Sequence, residues 1–417
     1  MTPLKFLLLP VGSAGDVHPF LGLAIELRKR GHEVVLGVCG AFEQAARRTG
    51  ARYIEIGTAE DYDAAVRDPD LWKPGLKSLR VVARLACQAG DRQAEVVRDE
   101  FEPGRTVVAA GALAFGARIA QEKFDVPTAS IQLAPSVFQS CESPPRLPLL
   151  WMPDWMPHGV KRAIWRLASA AGDSAGRRPI NELRKRWGLE PVRDIFGAWW
   201  HSPQRVIGMF PDWFAPPPSD WPEQVRLTDF PLFDDGSDQS LPAALEAFLG
   251  AGEPPIVFAP GSANAQARPF FDAAIGACHA LERRGVLLTK YADQVPTELP
   301  ATLLHVDYAP LTTLLPRAAA LVHTGGIGTL SQGLAAGVPQ VIRPVVHDQY
   351  DNASRAVTFG VAAEIDRRRL DRATLANALD RLLTAPEVAA ATSRCAARLA
   401  ARRGIPATCD LLEHLAP

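Results

Sequence analysis

Between residues 323 and 329 the chain reads His-Thr-Gly-Gly-Ile-Gly-Thr. A diphosphate needs backbone N–H groups that can come close, a helix N-terminus, and no side chains in the way. Gly325, Gly326 and Gly328 remove the side chains, and a helix from about Thr329 supplies the dipole. His323 and Thr329 can add hydrogen bonds. A strand-to-helix turn without a ligand can carry the same glycines, so the turn gains weight only from its surroundings. A second turn, Gly12-Ser13-Ala14-Gly15-Asp16-Val17-His18, brings a carboxylate and an imidazole to the start of another helix. Either group can take a proton from a hydroxyl. A carboxylate is ionised at pH 7, and burial raises its basicity. Asp16 also suits a helix N-cap, and His18 suits a loop histidine bonded to backbone.

Both turns need strands to hold them. Leu4 to Leu9 is a continuous apolar run, as in a strand buried on both faces. A helical pattern follows from Phe20 and stops at Gly31, and Glu33 to Val38 is the next strand. This is a βαβ unit and implies a parallel sheet. Short strands recur at Thr106–Ala110 and Thr128–Ile131. The stretch from about 138 to 235 holds eight of the nine tryptophans and many prolines. It reads as helices and loops over the first domain, followed by a linker. Ala215-Pro216-Pro217-Pro218 and the polar run Asp234-Asp235-Gly236-Ser237-Asp238 flank the boundary. The pattern then restarts with strands at 255–259, 285–289 and 319–322 and a helix from Phe270 to Arg284. The expected domains are therefore 1–230, 231–395, and a C-terminal helix over 396–417 that packs back on the first. Ligands of such sheets bind at the carboxyl ends of the strands. The first turn lacks G-x-G-x-x-G, which argues against a dehydrogenase.

The chain has 417 residues, 47% apolar and 22% charged, which gives ample material for two cores. With 45 basic and 46 acidic residues its net charge is −1, and nucleic acid is not an expected partner. The six cysteines are scattered without metal-site spacing and read as free thiols of a reducing cytoplasm. The short apolar run after Met1 does not resemble a signal peptide, and no run approaches a membrane span.

The order Tyr308-Ala309-Pro310-Leu311, His323 to Thr329, Gly337-Val338-Pro339, and His347-Asp348-Gln349-Tyr350-Asp351-Asn352-Ala353 resembles the donor signature of nucleotide-sugar glycosyltransferases with the GT-B fold. Gly12 to Pro19 is similar to their acceptor-side loop, so the resemblance spans nearly the whole chain. Asp68 to Trp72, Ala117 to Lys123, Ser202-Pro203-Gln204, Phe210 to Pro217 and Phe230 to Asp234 are similar to the rhamnosyltransferases of rhamnolipid synthesis. Bacterial enzymes that glycosylate flavonoids or sterols share much of that pattern.

The resemblance implies an α/β architecture of two Rossmann-like domains facing each other across a cleft. It implies that Tyr308 stacks on the base and that the Ala309 backbone bonds the base edge. His323 with the Gly325 to Thr329 amides would hold the diphosphate, with Ser262, Gly12 and Ser13 as further donor contacts. Asp348 and Gln349 would hold the sugar hydroxyls. Ser331 stands where many UDP-sugar enzymes carry a ribose-binding Glu, which points to a dTDP-sugar, dTDP-rhamnose in particular. The co-substrate is thus a dTDP-sugar or UDP-sugar, with no cofactor and no metal. The DxD-like pairs Asp61/Asp63 and Asp68/Asp70 read as exposed loop acids. Inversion in one step is implied, and Asp16 lies where plant relatives carry their catalytic His, which favours it over His18.

Trp151, Trp155, Trp165, Trp199, Trp200 and Trp213, with Phe138 and Phe196, are too many for one packed face. Phe138, Trp151, Met152 and Trp155 are the expected walls of an apolar acceptor pocket. Trp and basic residues over 151–166 also suit a weak peripheral contact at the inner membrane face. A 3-hydroxyacyl lipid and a flavonoid both fit such a pocket. A UDP-sugar glucosyltransferase on flavonoid, sterol or macrolide-type acceptors, and a nucleotide-sugar epimerase, are the alternative readings. The protein is expected as a monomer or dimer.

Overall fold

The computed structural model describes residues 3–235, 240–401 and 403–416. Residues 236–238 of the expected linker, and residues 402 and 417 of the expected tail, lie outside the described residues. The chain divides into two compact units, Met1–Pro231 with Arg403–Pro417, and Leu232–Arg402.

The first unit is built on seven parallel strands: β1 (Lys5–Leu9), β2 (Glu33–Val38), β3 (Arg52–Glu55), β4 (Thr106–Gly111), β5 (Thr128–Gln132), β6 (Arg205–Gly208) and β7 (Val225–Leu227). Their order is β3-β2-β1-β4-β5-β6-β7. Every residue of β1 is buried, because helices cover both faces of a parallel sheet. Each such Leu or Phe contributes about 1.5–3 kcal/mol on burial. Strand order reverses between β1 and β4, where Lys5 faces both Glu33 and Thr106. The turn carrying Gly12 and Asp16 leaves β1 at this switch point, where open α/β sheets bind ligands.

The middle segment differs from its sequence reading. Besides the helix His158–Arg186 it holds β6 and β7, which pair in parallel with each other and β5. The Pro216–Pro218 stretch therefore lies inside the first sheet, ahead of β7. Strands of four and three residues among prolines are too short to show an alternation.

The tail also differs. Val388, Ala391, Cys395 and Leu399 form one buried stripe, so the helix Pro386–Leu399 runs through residue 395 as part of the second unit. The helix that packs on the first unit is Gly404–Glu413. Arg30 Nη1 reaches Asp410 at 2.6 Å and Glu413 at 3.0 Å, and His32 Nε2 lies 2.9 Å from Glu413. A Cβ on Gly404 would collide with the carbonyl oxygens of Asp229 and Phe230, so the helix starts where only glycine fits.

The second unit has six parallel strands: β8 (Ile256–Ala259), β9 (Gly285–Leu288), β10 (Leu303–Val306), β11 (Ala320–His323), β12 (Gln340–Ile342) and β13 (Ala362–Glu364). They run in the order β10-β9-β8-β11-β12-β13, with the switch point between β8 and β11. Phe258, Phe271, Leu287, Val322 and Leu379 are among the residues of its core. Among the described residues no helix is long and apolar enough to cross a membrane.

Candidate active site

At the switch point of the second unit, His323 ends β11 with Ala259 and Ile342 beside it. It is 1% exposed. Its Nδ1 accepts from the Gly325 N–H at 3.1 Å, and its Nε2 lies 2.9 Å from Gln340 Oε1. Burial holds its pKa down at about 4, so the ring is neutral at pH 7. The expected direct bond from His323 to a diphosphate is thus not the bond it makes here. Both ring nitrogens are engaged, and the ring shapes the turn.

Gly325 sits at φ 93°, and a Cβ there would lie 2.9 Å from Ile342 Cγ2 and 3.0 Å from the Gln349 carbonyl oxygen. Its N–H binds His323 and its carbonyl accepts from Asn352 Nδ2 at 2.9 Å. Gly325 therefore gives the turn its shape rather than an amide to a ligand. The amides left open to an anion lie further along the chain. Gly326 caps the helix Ile327–Ala336, and the first-turn N–H groups of Ile327, Gly328 and Thr329 have no partner inside the helix. A Cβ on Gly326 would meet nothing within 4 Å, which leaves open space at the helix end.

Neighbouring turns come to the same edge of the sheet. Thr324 Oγ1 donates to the Pro260 carbonyl at 3.2 Å, which ties in the turn after β8 with its exposed Ser262. After β12, Asp348 starts the helix Gln349–Thr358, and its Oδ2 accepts from Asn352 Nδ2 at 2.6 Å. Gln349 Oε1 accepts from the Val345 and Val346 N–H groups at 2.8 and 3.1 Å. What Gln349 can offer a sugar is its amide nitrogen, a donor. Asn352, fully buried, bridges the Gly325 turn to Asp348 and was not singled out from the sequence. Tyr308 is 50% exposed after β10, with its hydroxyl donating to the Asp235 carbonyl at 2.8 Å, while Ala309 is buried beside it. Ser331 is buried, and its hydroxyl donates back to the Gly328 carbonyl at 2.9 Å.

In the first unit Ser13, not Asp16, is the N-cap of the helix Ala14–Lys29. Asp16, three residues on, accepts at Oδ2 from the Ser13 N–H at 2.8 Å and the Ser13 hydroxyl at 3.1 Å. A side chain on Gly12 would collide with this carboxylate. Burial pushes the Asp16 pKa above the usual carboxylate value, against the lowering pull of the Ser13 bonds. His18 lies two residues further on the same helix, half-buried. Residues two apart do not share a helix face, so Asp16 and His18 leave the helix in different directions.

The four expected acceptor residues differ in exposure. Phe138 is 1% exposed, stacked on His201 with ring centroids 5.2 Å apart and tilted against Trp221 at 4.4 Å. Met152 is buried too. Trp151 and Trp155 are 69% and 80% exposed, so they line no enclosed wall. Of the acids with DxD spacing, Asp61 accepts from the N–H and hydroxyl of the N-cap Thr58 at the start of a helix, Asp68 pairs with Arg84, and Asp70 pairs with Lys73.

Residues 6–140 match the model of the glycosyltransferase family 28 N-terminal domain. Residues 285–412 match the erythromycin biosynthesis protein CIII-like C-terminal domain. O-mycaminosyltylonolide 6-deoxyallosyltransferase of Streptomyces fradiae is 31% identical over 437 residues, covering 99% of this chain and 98% of its own length. The chain belongs to the GT-B glycosyltransferases. The fold of this glycosyltransferase is that of a solved glycotransferase of kitacinnamycin (TM-score 0.76, 23% identity, 100% of both chains). It is also that of the spinosyn rhamnosyltransferase SpnG complexed with thymidine diphosphate (TM-score 0.69, 16% identity, 98% of this chain and 100% of that one). As a glycosyltransferase, the protein carries the Tyr308–Ala353 motifs on its second unit and the Gly12–Pro19 turn on its first.

Proposed function

We propose that this enzyme transfers a 6-deoxyhexose from a dTDP-sugar to a hydroxyl of an apolar natural-product aglycone, with inversion. The observation that carries the reading is the cluster at the carboxyl edge of the second sheet. There the open helix end at Gly326–Thr329 stands beside the Asp348–Asn352 pair. A helix N-terminus suits a diphosphate, and a carboxylate with an amide suits sugar hydroxyls. Ser331 supports the thymidine donor, because its hydroxyl is turned onto its own helix and a serine carries no carboxylate to read a ribose 2′-hydroxyl from that position. The full-length relative, by its name a 6-deoxyallosyltransferase acting on a tylonolide, supports a deoxysugar and a macrolide-like acceptor.

In the step itself Asp16 takes the acceptor proton. The acceptor oxygen attacks the anomeric carbon, and the bond from that carbon to the diphosphate oxygen breaks. The electron pair leaves with the diphosphate, stabilised by the Ile327–Thr329 amides and the helix dipole. On the second unit, Tyr308 and Ala309 serve the base and Ser262 adds a donor contact. The exposed Trp151 and Trp155 favour a second acceptor reading, a 3-hydroxyacyl lipid at a membrane surface.

The test is a donor panel of dTDP-rhamnose, dTDP-glucose, UDP-rhamnose and UDP-glucose against a macrolactone, a flavonol and a 3-hydroxyacyl lipid, read by mass spectrometry. Deoxyhexose transfer from dTDP donors to the macrolactone supports the proposal. Equal or better turnover with the UDP-sugars would overturn the donor assignment, and transfer to the lipid alone would overturn the acceptor.

A further inference from the structure

We infer that Gln340 is a positioning residue that sets the tautomer of His323 and, through it, the anion-binding turn. The inference rests on the reading that this turn holds the donor diphosphate.

A backbone N–H can only donate. Since the Gly325 N–H points at His323 Nδ1 at 3.1 Å, that nitrogen carries no proton. The ring proton is therefore on Nε2, where it donates to Gln340 Oε1 at 2.9 Å. The orientation of the Gln340 amide is set in turn from its other end, since Nε2 donates to the Leu330 carbonyl at 3.4 Å. Gln340 and His323 are 0% and 1% exposed, so no solvent competes for these bonds. Sheet register places them. Gln340 pairs with Leu321 on β11, and residue 323 shares the face of residue 321. The chain also keeps room for the amide. A Cβ on Gly333 would lie 2.6 Å from Gln340 Cδ, so the helix carries glycine there.

Protonation of Nδ1 would set two donors against each other and leave the Gly325 N–H buried without an acceptor. Gln340 is suited to prevent it. An amide carbonyl takes the Nε2 proton without bringing the negative charge that would draw a second proton onto the ring. Among the described residues, no charge on a neighbouring element shifts His323. Burial lowers the His323 pKa and only the Gln340 bond raises it. Arg343 at the end of β12 donates to the Arg367 carbonyl, Asp348 is held by Asn352, and Asp351 is paired with Arg355.

The test uses the full chain, thymidine diphosphate as the probe, and three proteins: wild type, Gln340→Glu and Gln340→Met. In wild type, nitrogen NMR of labelled histidine should show His323 with its proton on Nε2, unchanged between about pH 5.5 and about pH 8.5. Calorimetric affinity of Gln340→Glu should come closest to wild type at the alkaline end, where the carboxylate still accepts from His323 Nε2 and only the long bond to the Leu330 carbonyl is lost. It should fall by about tenfold relative to wild type at the acid end, as the carboxylate draws a proton to Nδ1. Gln340→Met should bind about tenfold more weakly across the range. A proton on Nδ1 in wild type overturns the proposal even if both variants fail to fold, and so does a Gln340→Glu profile parallel to wild type. Absence of thymidine diphosphate binding in wild type overturns the donor-site reading instead.

Discussion

The side-chain amide of Asn352 donates to the carbonyl of Gly325 at 2.9 Å. The same nitrogen holds Asp348 Oδ2 at 2.6 Å, so one buried group joins the turn assigned to the phosphates to the residue assigned to the sugar. With His323 on its other side, Gly325 has both of its peptide groups fixed.

Replacing Asn352 should disturb both halves of the donor site together. Asn352→Ala leaves a buried carbonyl without a donor, at a cost of about 1–3 kcal/mol of stability. Donor kcat/KM should drop by about 10- to 100-fold, measured beside a thermal melt. Asn352→Asp should be worse, because it sets a second carboxylate against Asp348. Wild-type kinetics in both variants would show that the bridge is incidental.

Two adjacent glycines should respond in opposite ways. Gly325→Ala meets Ile342 and the Gln349 carbonyl at φ 93°, and should lose about 1–3 kcal/mol of stability along with nucleotide affinity. Gly326→Ala enters open space at φ −58° and should leave Tm nearly unchanged. Calorimetric melts of the two variants decide this, and equal losses would argue against the turn geometry.

Asp16→Asn should lower kcat by about 10²- to 10⁴-fold with the fold intact, since Asn still accepts from the Ser13 N–H. His18→Gln, on another side of the helix, should cost less than about tenfold. Rates with saturating donor and acceptor test both. The reverse ranking would move the base to His18.

The pH dependence follows from the sign of the Asp16 shift. Its folded pKa is raised above 3.8, so the unfolded chain ionises first. Wild-type stability then falls as pH rises from the unfolded value through the folded one, and stays lower above it. Asp16→Asn should therefore be more stable than wild type above that window and no different below it. The same ionisation should give kcat/KM an acid limb displaced above the ordinary carboxylate value. Melting curves and rates across pH check the two statements independently.

The turns that carry this site were legible because their cause is local. A buried strand such as Lys5–Leu9 or Ile256–Ala259 is an apolar run, and the glycines after it are needed where they stand. Gln340 and Asn352 were not legible. Each is an uncharged amide, and each acquires its role from a partner 17 or 27 residues away that only the sheet register brings near. Which aromatics of the middle segment are buried was not legible for a related reason. Composition counts Trp and Phe side chains but does not say which face each one takes, and Phe138 and Trp155 ended on opposite sides of that choice.

The helix Gly404–Glu413 belongs to the first unit although the whole second unit precedes it in the chain. The second unit is thus an insertion, and synthesis order differs from structural order. All seven strands of the first sheet have been translated by residue 227, yet Asp410 and Glu413, which reach back to Arg30 and His32, arrive more than 180 residues later. On the ribosome, the second unit has all its residues while the first still waits for its last helix. A nascent chain halted just short of Gly404 would hold every residue of the second unit and a first unit with its last helix still missing.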